Sequence, residues 1–282
     1  MAIKFIIDSG SDILPCEAEE LGLIHLPLMV SFGEEEFYDS VTLGHREFYE
    51  KLIESDVLPK TSQINPATFE SAYEKVVSAG DTAIVITVSG KLSGTYQSAM
   101  IAAEDYEGKI YVVDSENVCV GERLLVERGL ELCKKCLSVE EIVARLNQEK
   151  KQIRVIALLD TLEYLKKGGR ISATVAFAGN LLSIKPVIAI ENGEVSLVGK
   201  ARGSKKGNNL LRELVLSSGG INFDKPFALA YSGLSDHLLT KYIEDSTELW
   251  AGKTESLPIK TVGCTIGTHA GPGAIVLAFF EK

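Results

Sequence analysis

The stretch Asp81–Ser89 is an unbroken run of β-branched and apolar residues, and Tyr96–Glu104 beyond it holds good helix formers and no breaker. Such a run is a strand buried on both faces, and a strand leading into a helix is the repeating unit of parallel sheets. Leu92-Ser93-Gly94-Thr95 occupies the junction. Ser93 therefore sits where a buried strand ends and a helix N-terminus begins. The free N–H groups of that terminus, with a hydroxyl beside them, suit a carboxylate or a phosphate. A serine that only caps its helix satisfies the same pattern.

The same rhythm extends through the first half. Lys4–Ile7 reads as a strand ending in the turn-rich Asp8–Asp12, and Ile24–Val30 as another strand. Asn65-Pro66 starts a helix, with Phe69, Ala72, Tyr73, Val76 and Val77 on one face. Thr82–Val88 and Lys109–Val113 are strands, and Ser138 with Glu141 makes a capping box for a helix reaching Asn147. The second half differs. Arg154–Leu159 is a strand, followed by a short helix ending at Gly168-Gly169. Pro186–Val198 carries Asn192-Gly193 between two alternating runs, a hairpin signal. Helices fit 207–217 and 235–246, and strands fit Phe227–Tyr231, Ile259–Val262 and Ala274–Phe280. The expected fold is α/β in two domains. Residues 1–155 form a mainly parallel sheet with helices on both faces, and residues 156–282 an α/β domain with a mixed sheet that closes the site.

Length agrees with two domains, since 282 residues are many for one core. The net charge of −10 argues against nucleic acid, which rewards clustered Lys and Arg. The longest apolar runs, such as Ala274–Phe280, are far short of the roughly 18 residues a membrane span needs. The N-terminus reads as a strand rather than a signal peptide, so a cytoplasmic protein is expected. Cys133 and Cys136 form a CxxC, but inside a helical pattern and without a second pair. They read as incidental thiols rather than a redox or metal site.

Four further polar segments are candidates. Asp8-Ser9-Gly10-Ser11-Asp12 follows the first strand, where loops of α/β folds form the ligand crevice, and loop organisation is the preferred reading. Thr61-Ser62-Gln63 precedes the Asn65-Pro66 helix start and offers three hydrogen-bonding side chains to an anion, or to water in an extended loop. Gly168-Gly169-Arg170 leaves a guanidinium on a loop, suited to carboxylate or phosphate, or to a structural salt bridge. Gly267-Thr268-His269-Ala270-Gly271-Pro272-Gly273 surrounds one histidine with three glycines and a proline. His25, His45 and His237 lack such a setting, and the histidine spacing gives no zinc cluster.

Together with Leu92–Thr95, these segments resemble the DegV family of bacterial fatty-acid-binding proteins. The resembling motifs are Asp8–Asp12, Thr61–Gln63, Leu92–Thr95, Leu165–Ser172 and His269–Gly273, with Ile184-Lys185-Pro186 also fitting the pattern. Ile64 and Asn65 stand where the family often has a proline after ThrSerGln. The resemblance implies two α/β domains with one acyl chain, palmitate for example, buried between or beneath them, and no cofactor. It implies that Thr61 and Ser93 hold the carboxylate, with Ser62, Gly94, Thr95 and His269 around it. Some members are the B subunit of a bacterial fatty-acid kinase. They present the bound carboxylate to a separate ATP-binding subunit, with Arg170 and His269 then facing the mouth. The acyl tail is expected along the apolar faces between Ile24 and Ile101.

The physics of such a ligand is consistent with these residues. Burial at about 0.8 kcal/mol per CH₂ supplies most of the affinity. The carboxylate needs hydrogen bonds, which hydroxyls and helix N–H groups provide. Two rivals remain at this stage. A serine hydrolase would use Ser93 with His269, although LeuSerGlyThr is not the GlyxSerxGly elbow. A small-molecule kinase related to dihydroxyacetone kinases would need a nucleotide motif, and no GxxxxGK[ST] occurs.

Overall fold

A computed structural model of the chain describes residues 2–171 and 184–282. The first half contains β1 (Ile3–Asp8), α1 (Pro15–Leu21), β2 (Leu23–Leu26), β3 (Met29–Phe32), β4 (Glu35–Tyr38), α2 (His45–Glu54), β5 (Lys60–Ser62), α3 (Pro66–Ser78), β6 (Thr82–Thr87), α4 (Thr95–Ala103), β7 (Ile110–Asp114), α5 (Val120–Cys133) and α6 (Val139–Glu149). The second contains β8 (Ile153–Leu158), α7 (Glu163–Lys167), β9 (Ile184–Glu191), β10 (Glu194–Arg202), α8 (Ser204–Ser217), β11 (Phe227–Tyr231), α9 (His237–Asp245), β12 (Ile259–Thr261), α10 (Cys264–Ala270) and β13 (Ile275–Phe280). Ser172 of the Leu165–Ser172 motif lies outside the described residues.

The first sheet has the order β2-β1-β6-β7 and is parallel throughout. Every residue of β6 is buried, because helices cover both faces. Ile6, Ala83 and Val85 pack against Phe69, Tyr73, Ala99 and Ala102 of α3 and α4. Phe5, Ile7, Ile84 and Ile86 pack on the opposite face against Leu124 and Leu125 of α5 and Ile142 and Leu146 of α6. Ser138 caps α6 in the expected capping box, and Asn65 caps α3 ahead of Pro66.

The second sheet has the order β10-β9-β8-β13-β11-β12. It is mixed, since β11 and β12 are parallel and the other pairs antiparallel. Asn192 and Gly193 take φ values of 52° and 82° in the β9–β10 turn, the two positive values that the AsnGly signal requires. That turn reaches the end of β6, where Ser89 Oγ donates to Gly193 O at 2.7 Å.

Two departures from expectation concern the first half. The single strand read over Ile24–Val30 is two strands, β2 and β3, in different sheets. Pro27 stands between them, and proline cannot supply the ladder N–H needed to continue a strand. Thr61 and Ser62, expected in a loop, lie in β5 of a small antiparallel sheet ordered β4-β3-β5, where Thr61 pairs with Val30.

The halves share a core. α5 lies between the two large sheets, and one apolar cluster joins Phe5, Ile7 and Ile86 to Val155, Ala157, Ile188 and Val276. A Cβ at Gly129 would stand 2.6 Å from the Phe5 ring, and one at Gly121 would collide with Val155, so the helix touches both sheets through its glycines. Its two arginines are paired: Arg123 grips Glu17 through both Nη atoms, and Arg128 grips Glu149 through Nε and Nη2, whereas the Glu122 carboxyl is buried without a hydrogen-bond partner among the described residues. The 155/156 division falls inside β8, whose ladder partners all belong to the second sheet. Among the described residues no helix is long and apolar enough to cross a membrane.

Candidate functional site

A cavity of about 400 Å³ lies between the two large sheets. Its apolar walls include Val88 and Leu92 from the end of β6, Val118 and Cys119 before α5, and Val155, Ala157, Ile188 and Val276 from the inner face of the second sheet. The polar lining is Thr61, Ser62, Gln63, Ser93, Gly94, Arg170, Thr265 and His269. The apolar path expected over Ile24–Ile101 is thus corrected. From that interval only Leu28, Val88 and Leu92 give apolar walls, because the faces of β1 and β6 are already filled by α3–α6.

The chain places the polar groups from three directions. β6 stops at Thr87, and the backbone turns through Gly90–Gly94 into α4, whose N-cap is Gly94. Ser93 Oγ lies 2.9 Å from Thr95 Oγ1 and accepts the Thr95 N–H at 3.3 Å. β5 brings Thr61 beside α10, and Thr61 Oγ1 lies 2.9 Å from His269 Nε2. Ser62 and Gln63 are exposed, and Gln63 Nε2 donates to Ser98 Oγ at 2.9 Å. A Cβ on Gly94 would collide with the Gln63 carboxamide, so glycine permits this contact between β5 and α4.

His269, read as part of a glycine-rich loop, lies in the last turn of the helix α10. Burial, with the Arg170 charge adding to it, pushes its imidazole down to about 4, so the ring is neutral near pH 7. Its Nδ1 is buried without a hydrogen-bond partner. A Cβ at Gly168 would strike this ring, so glycine at the end of α7 lets the imidazole fit beneath. His269 is half-buried like Thr61, and the two side chains are in direct contact.

Among the described residues Arg170 forms no salt bridge, and its guanidinium is engaged by backbone carbonyls. Its Nε donates to Leu92 O at 3.0 Å and its Nη1 to Gly168 O at 2.7 Å. It therefore ties the loop before α4 to the end of α7. A second cleft of about 520 Å³ adjoins this point, lined by Lys91, Ser93, Gly94, Arg170, Glu194 and neighbours.

The Asp8–Asp12 loop organises its surroundings. Asp8 accepts the N–H groups of Gly10 and Val88, both at 2.8 Å, and Asp12 accepts that of Gly263 at 2.9 Å. Burial pushes the Asp8 carboxyl up to about 7 and that of Asp12 up to about 8. Cys133 and Cys136 are free thiols, the first half-buried and the second exposed.

The arrangement offers an anion several donors and no carboxylate among the described lining residues. Thr61 and Ser93 supply hydroxyls and the start of α4 backbone N–H groups, while Thr95 lies fully buried behind Ser93, off the cavity lining, with its Oγ1 held by Ser93. No Ser93–His269 hydrogen bond is formed: Ser93 Oγ pairs with Thr95 and His269 Nε2 with Thr61. Sequence reasoning missed Thr265 and Ile266 on α10 and the wall positions of β8 and β9. The period-2 pattern of those strands carried a signal for an apolar face, but not for what it faces.

The comparisons with known proteins cover the whole chain. The sequence model of the DegV family, described as uncharacterised proteins, matches residues 2–282. A DegV domain-containing protein of Caldanaerobacter subterraneus is 32% identical over 287 residues, covering 99% of each chain. A DegV family protein from Thermus thermophilus, described for its fatty acid binding, superposes with a TM-score of 0.86 at 31% identity, over 99% of this chain and 100% of that one. DegV from Bacillus subtilis, described as a fatty acid binding protein, gives a TM-score of 0.81 at 30% identity over the full length of both. With its α/β fold and this match over nearly every residue, the chain belongs to the DegV family.

Proposed function

We propose that this protein binds a long-chain fatty acid. One observation carries the reading: an apolar cavity between the sheets has its hydroxyls, its imidazole and a helix N-terminus gathered around Thr61, Ser93 and His269. Its volume of about 400 Å³ lies within the roughly 300–1,000 Å³ of small-molecule sites. In this reading Thr61, Ser93 and His269 hold the carboxylate, with Ser62, Gly94 and Thr95 around it, and the tail follows Val88, Ala157, Ile188 and Val276. The fatty acids bound by the Thermus and Bacillus relatives support the ligand class.

The finer reading is that the protein presents this carboxylate to a separate ATP-dependent kinase subunit in the cytoplasm. A carboxylate oxygen attacks the γ-phosphorus of the partner's ATP, ADP leaves, and an acyl phosphate forms. The cleft beside Ser93 and Arg170 supports this, because it reaches the polar end of the cavity from outside and carries Lys91 and Arg170 for phosphate oxygens. The protein is then a binding subunit rather than an enzyme by itself. The test is native mass spectrometry of the chain purified from a bacterial host, followed by exchange with oleate or palmitate. A retained fatty-acid mass is the expected result. A bare protein that takes up neither lipid would overturn the reading, and a loaded protein that no kinase subunit phosphorylates would overturn the finer one.

A further inference from the structure

Asp39 belongs to none of the motifs above, yet it is fully buried and has hydrogen-bonding partners from three parts of the chain. Its Oδ1 accepts Cys264 N–H at 3.1 Å and Ser40 Oγ at 2.9 Å. Its Oδ2 accepts Thr265 N–H at 2.8 Å and, more weakly, Ser9 Oγ at 3.4 Å. Ser40 Oγ also lies 2.8 Å from His45 Nε2, and His45 Nδ1 lies 2.7 Å from Thr261 Oγ1. The backbone fixes the group further, because Asp39 N–H donates to Leu28 O at 2.9 Å.

The two amides that Asp39 holds are the first of α10. They are orphan donors that a helix cannot satisfy itself, and a carboxylate is the acceptor a helix N-terminus favours. Here the carboxylate comes from 225 residues earlier in the chain. One short helix thus connects Asp39 at its start to His269 in its last turn, and Thr265, Ile266, His269 and Ala270 all line the cavity. We propose that Asp39 is the positioning residue of the site: by clamping the first turn of α10 it sets the place of the His269 ring against Thr61, and with it the carboxylate end of the cavity. This rests on the fatty-acid reading for its effect on ligand, but not for its effect on His269.

The experiment compares the parent, Asp39→Asn and Asp12→Asn. It follows His269 by ¹⁵N NMR across pH and oleate binding at pH 7. In the parent the ring titrates at about 4. In Asp39→Asn the midpoint moves up toward the ordinary value of about 6.5 as the ring leaves its buried place. Losing a negative charge would by itself move a histidine down, so an upward shift reports a displaced ring. Oleate affinity falls about tenfold, in line with losing a charged acceptor of two buried amides. Asp12→Asn changes neither readout, because its carboxamide keeps the oxygen that accepts the Gly263 N–H ahead of α10, while the Cys264 and Thr265 amides stay on Asp39. An Asp39→Asn protein with the parent's midpoint and affinity overturns the proposal, as does an equal loss in Asp12→Asn. If Asp39→Asn does not fold, Ser40→Ala decides. It removes one hydroxyl that orients Asp39, and a smaller upward shift is expected, while no shift overturns the proposal. If the parent binds no fatty acid at all, the functional reading fails while the His269 midpoints still decide the positioning.

Discussion

Ser93 and Gly94 carry separate burdens one bond apart. Ser93 has a hydroxyl to offer a ligand, and Ser93→Ala is expected to weaken oleate binding by about 1–3 kcal/mol, the cost of leaving a charged acceptor one donor short. Isothermal titration of Ser93→Ala and of its double with Thr61→Ala checks this, and parent-like affinity in the double variant would move the carboxylate elsewhere. Gly94 instead makes room. Its φ of −72° suits any residue, so Gly94→Ala costs only through the collision with Gln63. The exposed Gln63 carboxamide can swing aside at the cost of its bond to Ser98, so a loss of about 1 kcal/mol is expected. Thermal melts should show it, and Gln63→Ala on the same background should recover part. At this scale local signals were readable where the partner is local. Asn192-Gly193, Ser138 with Glu141 and Asn65-Pro66 each did what their neighbours in sequence required. Asp39 was not readable, because its partners at 264 and 265 come near only once β3, α2 and α10 are assembled. The contacts of Arg170 were not readable for a similar reason: its acceptors at Leu92 and Gly168 are backbone carbonyls, which composition does not mark.

Glu17 joins three elements, taking both Nη atoms of Arg123 on α5 and the ammonium of Lys260 on β12 while itself on α1. Burial alone would raise its carboxyl, but these partners outweigh it and hold it down at about 2. The carboxylate is thus favoured by the folded state. Its contribution is complete above the ordinary carboxylate range and disappears as pH falls through about 2. The urea midpoints of parent and Glu17→Gln should therefore differ at pH 7 and converge toward pH 2–3. A constant gap would mean that Glu17 acts by packing. Element type was legible wherever periodicity ran long, as in β6, α3 and β13. Element membership was less so. Pro27 was available as a break, yet the apolar run around it imitates one strand. Thr61–Gln63 looks like a loop because three polar residues hide a strand whose ladder partner, Val30, is fixed only by the fold.

The α/β class and the change of pattern between halves were legible along the chain, but the common core was not, since it depends on α5 facing both sheets at once. That sharing predicts one cooperative unfolding transition. Calorimetric and van't Hoff enthalpies should agree, and two resolved transitions would show that the halves are stable separately. The cavity inherits the same geometry: it is bounded by two sheets, so a chain-like molecule cannot slip in through either alone. Beside the cavity, the β9–β10 turn is fastened just past the end of β6 by the Ser89–Gly193 hydrogen bond. Val195, two residues past Gly193, belongs to the cavity wall. The bond is therefore expected to act on traffic rather than on affinity. In Ser89→Ala, stopped-flow uptake and release of a fluorescent fatty acid should both quicken while their ratio stays nearly constant, and unchanged rates would place the doorway elsewhere. On this expectation, how long a molecule stays inside follows how often one turn lets go rather than how well the walls fit it.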